Sequence, residues 1–190
     1  MGIRSFLAFE LPLRIKERVG QISNELRQSR LPVRWVKVDN IHLTIVFLGS
    51  VTEEAIAGVK LKAGSITERF SAFPIRLNGV GAFPNLRRPR VLWMGLDGEI
   101  EGLSDLRDVL QEALVEFGFK PENRPFRPHL TLGRFKDTVN RDEELKWILD
   151  RFHDITTDDD YLKELVFFKS ELRPAGPIYT KMAAWPLKMH

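Results

Sequence analysis

Apolar residues return at helical spacing in two stretches of the chain. From Leu13 to about Leu31, Ile15, Val19, Ile22 and Leu26 recur among charged neighbours, predicting an amphipathic helix with one buried face that Pro32 ends. Thr52 with Glu53 and Glu54 opens a second helix running towards Phe70. A third, Ile100 to Gly118, carries Leu103, Leu106, Leu110 and Leu114 on one face and stops at glycine. A shorter helix is expected around Asp142 to Phe152. The other apolar stretches are rich in β-branched and aromatic residues and read as strands: Ile3–Glu10, Arg34–Val36, Ile41–Leu48 closed by Gly49, FPIRLNGVGAFP, RVLWMGLD, HLTLGRF, LKELVFFKSEL and IYTKMAAWPL. Asp39-Asn40 and Arg173 to Pro177 read as turns, Pro84 to Pro89 as a basic loop, PENRPFRP as a Pro- and Arg-rich link, and the stretch after Phe152 as a Thr/Asp-rich turn.

Mixed elements with several short turns between neighbouring strands favour an α+β arrangement containing antiparallel sheet. A length of 190 residues suits one domain, or two small lobes sharing a core. Hydrophobic residues make up 43% and charged residues 29%, an ordinary globular balance. Without cysteine there is no disulfide, thiolate metal site or cysteine nucleophile, which suits a reducing compartment. The N-terminal stretch lacks a signal peptide's apolar core, and no stretch is long enough to span a bilayer, so a cytoplasmic protein is expected. The net charge of +3 and sequence pI near 9.3 permit a polyanionic partner without demanding one. No Gly-rich phosphate loop is present.

The one internal echo is a strand beginning His-Leu-Thr in each half: His42 to Thr44 and His129 to Thr131. Residues two apart on a strand share a face, so each strand offers an imidazole and a hydroxyl together. Four such groups converging on one point suit phosphoryl transfer to water. A neutral imidazole takes the water's proton and a protonated one supplies the leaving oxygen, while the hydroxyls of Thr44 and Thr131 donate to phosphate oxygens. Arg134, a natural phosphate partner, stands three residues beyond Thr131. That spacing puts it on the opposite face of a regular strand unless a bulge at Gly133 relaxes the parity.

A single histidine on an apolar strand is more often a hydrogen-bonded packing residue, but two heading the same triplet are not so easily dismissed. Metal binding is disfavoured because two imidazoles are too few ligands, and no nucleophile-elbow spacing supports a serine triad. Phe47 and Phe126 are candidates for stacking a base, set against simple packing. Arg124 and Arg127 flank the second motif and are better placed to meet a nucleic-acid backbone than Arg87, Arg88 and Arg90 of the basic loop. Tyr179 reads equally as a cleft residue or a strand-edge one. His153 and His190 read as surface residues.

The sequence resembles the two-histidine phosphoesterases, in the branch of RNA 2′,3′-cyclic phosphodiesterases also known as 2′-5′ RNA ligases. The resemblance rests on RSFLAFELP, IHLTIVFLG, GVGAFPNLRRPRVLWMGL, RPHLTLGRF and ELRPAGPIYTKMAAWPL, in that order over nearly the whole chain. It implies one bilobal domain over 1–190, with pseudo-symmetric lobes, an antiparallel sheet and flanking helices in each, and the site in the cleft between them. It further implies His42 and His129 as catalytic residues with Thr44, Thr131 and Arg134 on the phosphate; Phe47 and Arg127, from their places beside the triplets, are taken as further substrate contacts. The reaction implied is metal- and cofactor-free opening of a cyclic phosphate on an RNA 3′ end or a nucleotide to a 2′-phosphate. The alternatives are 2′-5′ ligation of RNA ends or an idle RNA-binding site. No protein partner is implied and a monomer is expected. A symmetric pair does not distinguish acid from base; the working assignment is His42 as acid and His129 as base.

Overall fold

A computed structural model describes residues 2–136, 142–174 and 176–189. Its elements run β1 (Ile3–Glu10), α1 (Leu13–Arg27), β2 (Val33–Trp35), β3 (His42–Val51), α2 (Glu53–Thr67), β4 (Phe73–Phe83), β5 (Val91–Gly98), α3 (Ile100–Leu114), β6 (His129–Phe135), α4 (Asp142–Asp150), β7 (Asp160–Leu162), β8 (Glu164–Glu171) and β9 (Ile178–Pro186). The strands form one sheet in the order β7-β4-β5-β6-β3-β1-β8-β9, all neighbours antiparallel, with β2 pairing β6 off that path. β1, β3, β8 and β9 make one half, and β4, β5, β6 and β7 the other. The half-sheets meet at a single rung, Leu43 opposite Leu130.

All four helices contribute to one core. Ile15, Val19, Ile22 and Leu26 of α1, Val59, Ala63 and Ile66 of α2, Leu103, Leu106, Leu110 and Leu114 of α3, and Leu145, Ile148 and Leu149 of α4 pack with Leu7, Phe9, Leu43, Leu92, Met94, Leu130 and Leu132 from the sheet. Full burial of each such side chain contributes about 1.5–3 kcal/mol before entropy is counted. The alternate residues of β1, Phe6 and Ala8, form a small cluster with Val166 and Phe168, with Tyr179 packed against it. Strand parity puts that cluster on the sheet's other face, beside the histidines.

Most expected elements lie where the periodicity places them, and the differences have local causes. α1 ends at Arg27, one turn before Leu31, because its apolar stripe ends at Leu26 and Arg30 turns left-handed with φ 57°. α2 ends at Thr67 and α4 at Asp150, each short of the expected phenylalanine. α3 tightens into a 3₁₀ turn at Val115–Phe117 before Gly118, which takes φ 86°. β3 does not close at Gly49 but continues to Val51, Gly49 adopting φ 69° within a register shift. β7, inside the expected Thr/Asp-rich turn, pairs Phe73–Ile75 at the sheet's edge. A strand that short leaves no readable alternation.

Three register shifts shape the histidine-bearing face. Between β1 and β3, Ile45 and Leu48 are passed over; between β5 and β6, Leu132 is. Each extra residue reverses the alternation beyond it. Ile45 and Val46 therefore both enter the core, and Phe47 returns to the face of Thr44; Leu132 and Gly133 are both buried, and Arg134 returns to the face of Thr131. The two halves thus repeat one device: histidine, threonine, bulge, then an exposed side chain five residues after the histidine.

Gly133 is needed for a second reason. A Cβ there would meet Val33 Cγ1 at 2.3 Å and the Arg34 carbonyl oxygen at 3.0 Å, so glycine lets β2 dock on β6. Gly133→Ala should cost about 1–3 kcal/mol in a urea unfolding titration, by overpacking and displacement of β2. A neutral result would mean β2 is not held at this spacing.

Candidate active site

The Leu43–Leu130 rung brings the two triplets together. In an antiparallel pair with Leu43 opposite Leu130, His42 lies across from Thr131 and Thr44 across from His129. Both leucines are fully buried in the core, so all four polar side chains take the other face. The imidazole and hydroxyl of each strand are thereby set beside those of the other, in crossed order. β5 supports this arrangement, with Trp93 opposite Thr131 and Gly95 opposite His129.

Both imidazoles are oriented in the same way. His42 Nδ1–H donates to the Asn40 carbonyl oxygen at 2.8 Å, and His129 Nδ1–H donates to that of Arg127 at 2.7 Å. Each carbonyl belongs to the residue two before the histidine. With Nδ1 carrying the proton of the neutral ring, Nε2 has the free lone pair and becomes a donor when protonated. Either ring is fitted to accept or give a proton at Nε2.

Their surroundings differ. His42 stacks on Phe6 with ring centroids 4.7 Å apart and meets the Tyr179 ring edge-on at 5.2 Å, with Phe168 behind at 6.4 Å. Burial in this aromatic shell lowers its pKa below that of an ordinary histidine; the Asn40 hydrogen bond and the charge of Glu10 oppose the shift without overcoming it. Glu10 is the β1 partner of His42, and Lys181 pairs with Glu10 and, at 3.5 Å, with Glu164. His129 has a thinner setting, with Phe83 edge-on at 5.1 Å and Trp93 packed on Phe83 at 5.0 Å.

Arg134 is exposed on the histidine face, and its positive charge reaches Tyr179. Burial raises the Tyr179 pKa, while Arg134 and Arg4 on that side of the molecule pull it back. Tyr179 is therefore a member of this surface as well as a residue of the edge strand β9. Phe47 is 54% exposed, and the Arg4 guanidinium lies 4.6 Å from its ring centroid. Arg127 contributes its carbonyl to His129, while its side chain is only partly covered. Phe126 is instead a packing residue, set against the core beneath the Arg107 guanidinium at 5.4 Å. His153 is exposed and paired with Asp154, away from both triplets; His190 lies outside the described residues.

Arg107 has no counterpart among the sequence expectations. It is 6% exposed on α3, and its Nη2 donates to the carbonyls of Glu122 at 2.8 Å and Arg124 at 3.2 Å. That fastens the link leading into His129. Its place four residues after Leu103 and three before Leu110 sets it on the apolar stripe of α3, the one sequence signal that could have found it. On the other half, Asn40 Nδ2 donates to the Pro177 carbonyl at 3.0 Å, tying the start of β3 to the turn before β9. Two hollows, of about 490 Å³ against Asn85–Arg87 and α4 and about 340 Å³ between Glu10–Arg14 and Asp160–Glu164, contain neither histidine.

The model of the LigT like Phosphoesterase family matches the chain twice, over residues 9–93 and 95–179, with one His-Leu-Thr triplet in each copy. An RNA 2′,3′-cyclic phosphodiesterase of Methanothermobacter thermautotrophicus is 35% identical over 187 residues, covering 98% of this chain and all of that one. A crystal structure of a Thermus thermophilus protein superposes with a TM-score of 0.83 at 26% identity, covering 99% of this chain and 100% of that one. Escherichia coli LigT complexed with 3′-AMP superposes with a TM-score of 0.77 at 28% identity, covering 98% and 99%. Fold, paired strands and doubled match define a phosphoesterase built from two copies of one unit. The chain belongs to the LigT-like phosphoesterase family.

The shift of His42 has a measurable consequence. Its folded pKa lies below the unfolded value of about 6.5, so on acidification the unfolded chain takes up this proton first. The associated stability is fully present above the unfolded value and is lost as pH falls through the folded one. An NMR titration should find His42 below ordinary histidine, and His42→Gln should flatten the loss of stability on the acid side of pH 6.5. A normal or raised His42 value would contradict the aromatic shell as its governing influence.

Proposed function

We propose that this chain hydrolyses 2′,3′-cyclic phosphates on RNA 3′ ends, or on nucleotides, to 2′-phosphomonoesters without a metal or cofactor. The observation that carries the proposal is the Leu43–Leu130 rung, which sets two Nε2 atoms and two threonine hydroxyls on one face. The names of relatives such as the Methanothermobacter phosphodiesterase, and the 3′-AMP complex of E. coli LigT, point to the same substrate class.

In this reading His129, the less enclosed ring, accepts a proton at Nε2 from the water that attacks phosphorus. The water oxygen bonds to phosphorus, the P–O3′ bond breaks, and His42 Nε2–H delivers its proton to O3′, leaving the phosphate on O2′. Burial makes His42 a poor holder of its proton and so a ready donor, and the substrate's phosphate supplies the negative charge that loads it beforehand. Thr44 and Thr131 donate to the non-bridging oxygens, where charge accumulates. Arg134 adds positive charge, Phe47 with Arg4 above it offers a stacking surface for a base, and Arg127 meets the RNA at the rim. The chain works as a cytoplasmic monomer, residues 1–190 forming one bilobal unit.

With 2′,3′-cyclic nucleotides in EDTA, wild type should yield the 2′-phosphate, and His42→Ala and His129→Ala should each lose about 10²–10⁴-fold in rate. Replacing the 3′ bridging oxygen by sulfur separates the roles, because a thiolate leaves without a proton. His42→Ala should recover on that substrate and His129→Ala should not. The reverse pattern would exchange acid and base, and loss of wild-type activity in EDTA would sink the metal-free mechanism.

A further inference from the structure

The strand on the outer side of each triplet treats its histidine differently. On β1, Glu10 lies directly opposite His42; on β5, the residue opposite His129 is Gly95. Phe6, Ala8 and Glu10 alternate along β1, and the first two belong to the small cluster on the histidine face, so the Glu10 side chain takes that face as well. Residues directly opposite on antiparallel strands have Cβ atoms about 5 Å apart, which brings carboxylate and imidazole within reach of each other's charge. No side chain can stand in the corresponding place beside His129. A Cβ on Gly95 would meet the Asn78 carbonyl oxygen at 2.2 Å, so the backbone of β4 closes that position. The two triplets are identical in sequence, but a carboxylate stands opposite one of them and a bare backbone opposite the other.

Glu10 is held in place. Lys181 of β9, two residues past Tyr179 on the same face, pairs with Glu10 and with Glu164 at the start of β8. Two carboxylates share one ammonium, so the cluster carries one net negative charge at the edge of the aromatic shell. All three side chains are about half exposed, and ion pairs so open to water add little to stability. Among the described residues, the other charged or titratable groups around His42 are Tyr179 from β9, kept neutral by burial, Arg4 further along β1, and His129 and Arg134 from β6; Asp39 in the preceding turn is turned to Lys16 at 2.7 Å. Burial among aromatics works against a charged imidazole, and the charge of Glu10 works for it. We infer that Glu10, fixed by Lys181, is a positioning residue that holds His42 in its protonated form, so that the pair divides into an acid beside a carboxylate and a base without one. Glu10 takes up no proton itself. The proton passes from His42 Nε2 to O3′ as the P–O3′ bond breaks, with the carboxylate unchanged beside it. The inference rests on the cyclic-phosphate reading of the site, and it adds a resident charge to the one brought by the substrate's phosphate.

The test is the pH profile of wild type, Glu10→Gln and Glu10→Asp on a 2′,3′-cyclic mononucleotide. Turnover needs His42 charged and His129 neutral. Far to the acid side His42 is charged with or without Glu10, and wild type and Glu10→Gln should coincide in kcat/KM. As pH rises the charged fraction of His42 falls sooner in Glu10→Gln, which should show a deficit of about three- to tenfold on the alkaline side. Glu10→Asp should keep most of the wild-type profile, since it retains the charge. With sulfur in place of the 3′ bridging oxygen no proton is required, and the deficit of Glu10→Gln should vanish. In resting enzyme, an NMR titration should find His42 lower in Glu10→Gln than in wild type, with His129 shifted less. A loss equal at every pH and on both substrates would mark Glu10 as merely structural and overturn the proposal, as would an unchanged His42 titration. If wild type turned over no cyclic phosphate, the reading of the central site would fail alone, and the NMR titration would still decide whether Glu10 charges His42.

Discussion

The placement of both His-Leu-Thr triplets depends on one antiparallel rung. Leu43 and Leu130 are each the middle residue of a His-Leu-Thr triplet, and their pairing joins two half-sheets into one. The leucines are held by the helix-covered core, so the force that registers the site is apolar burial on the face away from it. A slip of one residue would send histidines into the core and leucines to water, so the hydrophobic pattern guards the polar one. Precision at the surface is thus inherited from the densest part of the interior.

Much of this is legible in the sequence. Helical periodicity locates α1 and α3, whose apolar stripes become buried, while α2 is marked by its Thr52-Glu53-Glu54 start and α4 falls within the shorter helix expected after Asp142. The triplets read as strands with His and Thr on one face because the alternation holds from His42 to Thr44 and from His129 to Thr131. The residues just beyond each triplet are harder to place. Phe47 and Arg134 lie three residues past their threonines and return to the same face only because a bulge intervenes. Gly133 hints at the second bulge, whereas Ile45 carries no mark of the first. The carbonyls that orient the imidazoles are backbone atoms and leave no trace in residue identity. The place of Arg107 on the apolar stripe of α3 hints at its burial, but its partners are illegible because they are carbonyls of a link 15 to 17 residues away that folds back over it. The same arginine turns Phe126 from a stacking candidate into a packing residue.

The two halves share a plan but not an environment. His42 is enclosed by Phe6, Phe168 and Tyr179, drawn from β1, β8 and β9, whereas His129 has Phe83 from β4 at its edge and a carbonyl from the link before β6. The same tautomer-fixing hydrogen bond therefore operates in two different surroundings. The doubled family match accounts for the shared geometry, and the differing shells leave two chemically identical groups in unlike surroundings.

The pairing of β1 with β8 joins residues 5–9 to residues 165–169, and Asn40 reaches Pro177. Loops that span most of the chain close late in folding, after the local helices have formed. The shell around His42 is consequently among the last things to exist during synthesis, since Phe6 waits, half-covered, for Phe168 and Tyr179. Until they arrive an apolar strand edge stands open on β1, a surface prone to pairing with the wrong strand. A fragment lacking β8 and β9 keeps both His-Leu-Thr triplets in its sequence without the aromatic walls that distinguish one imidazole from the other.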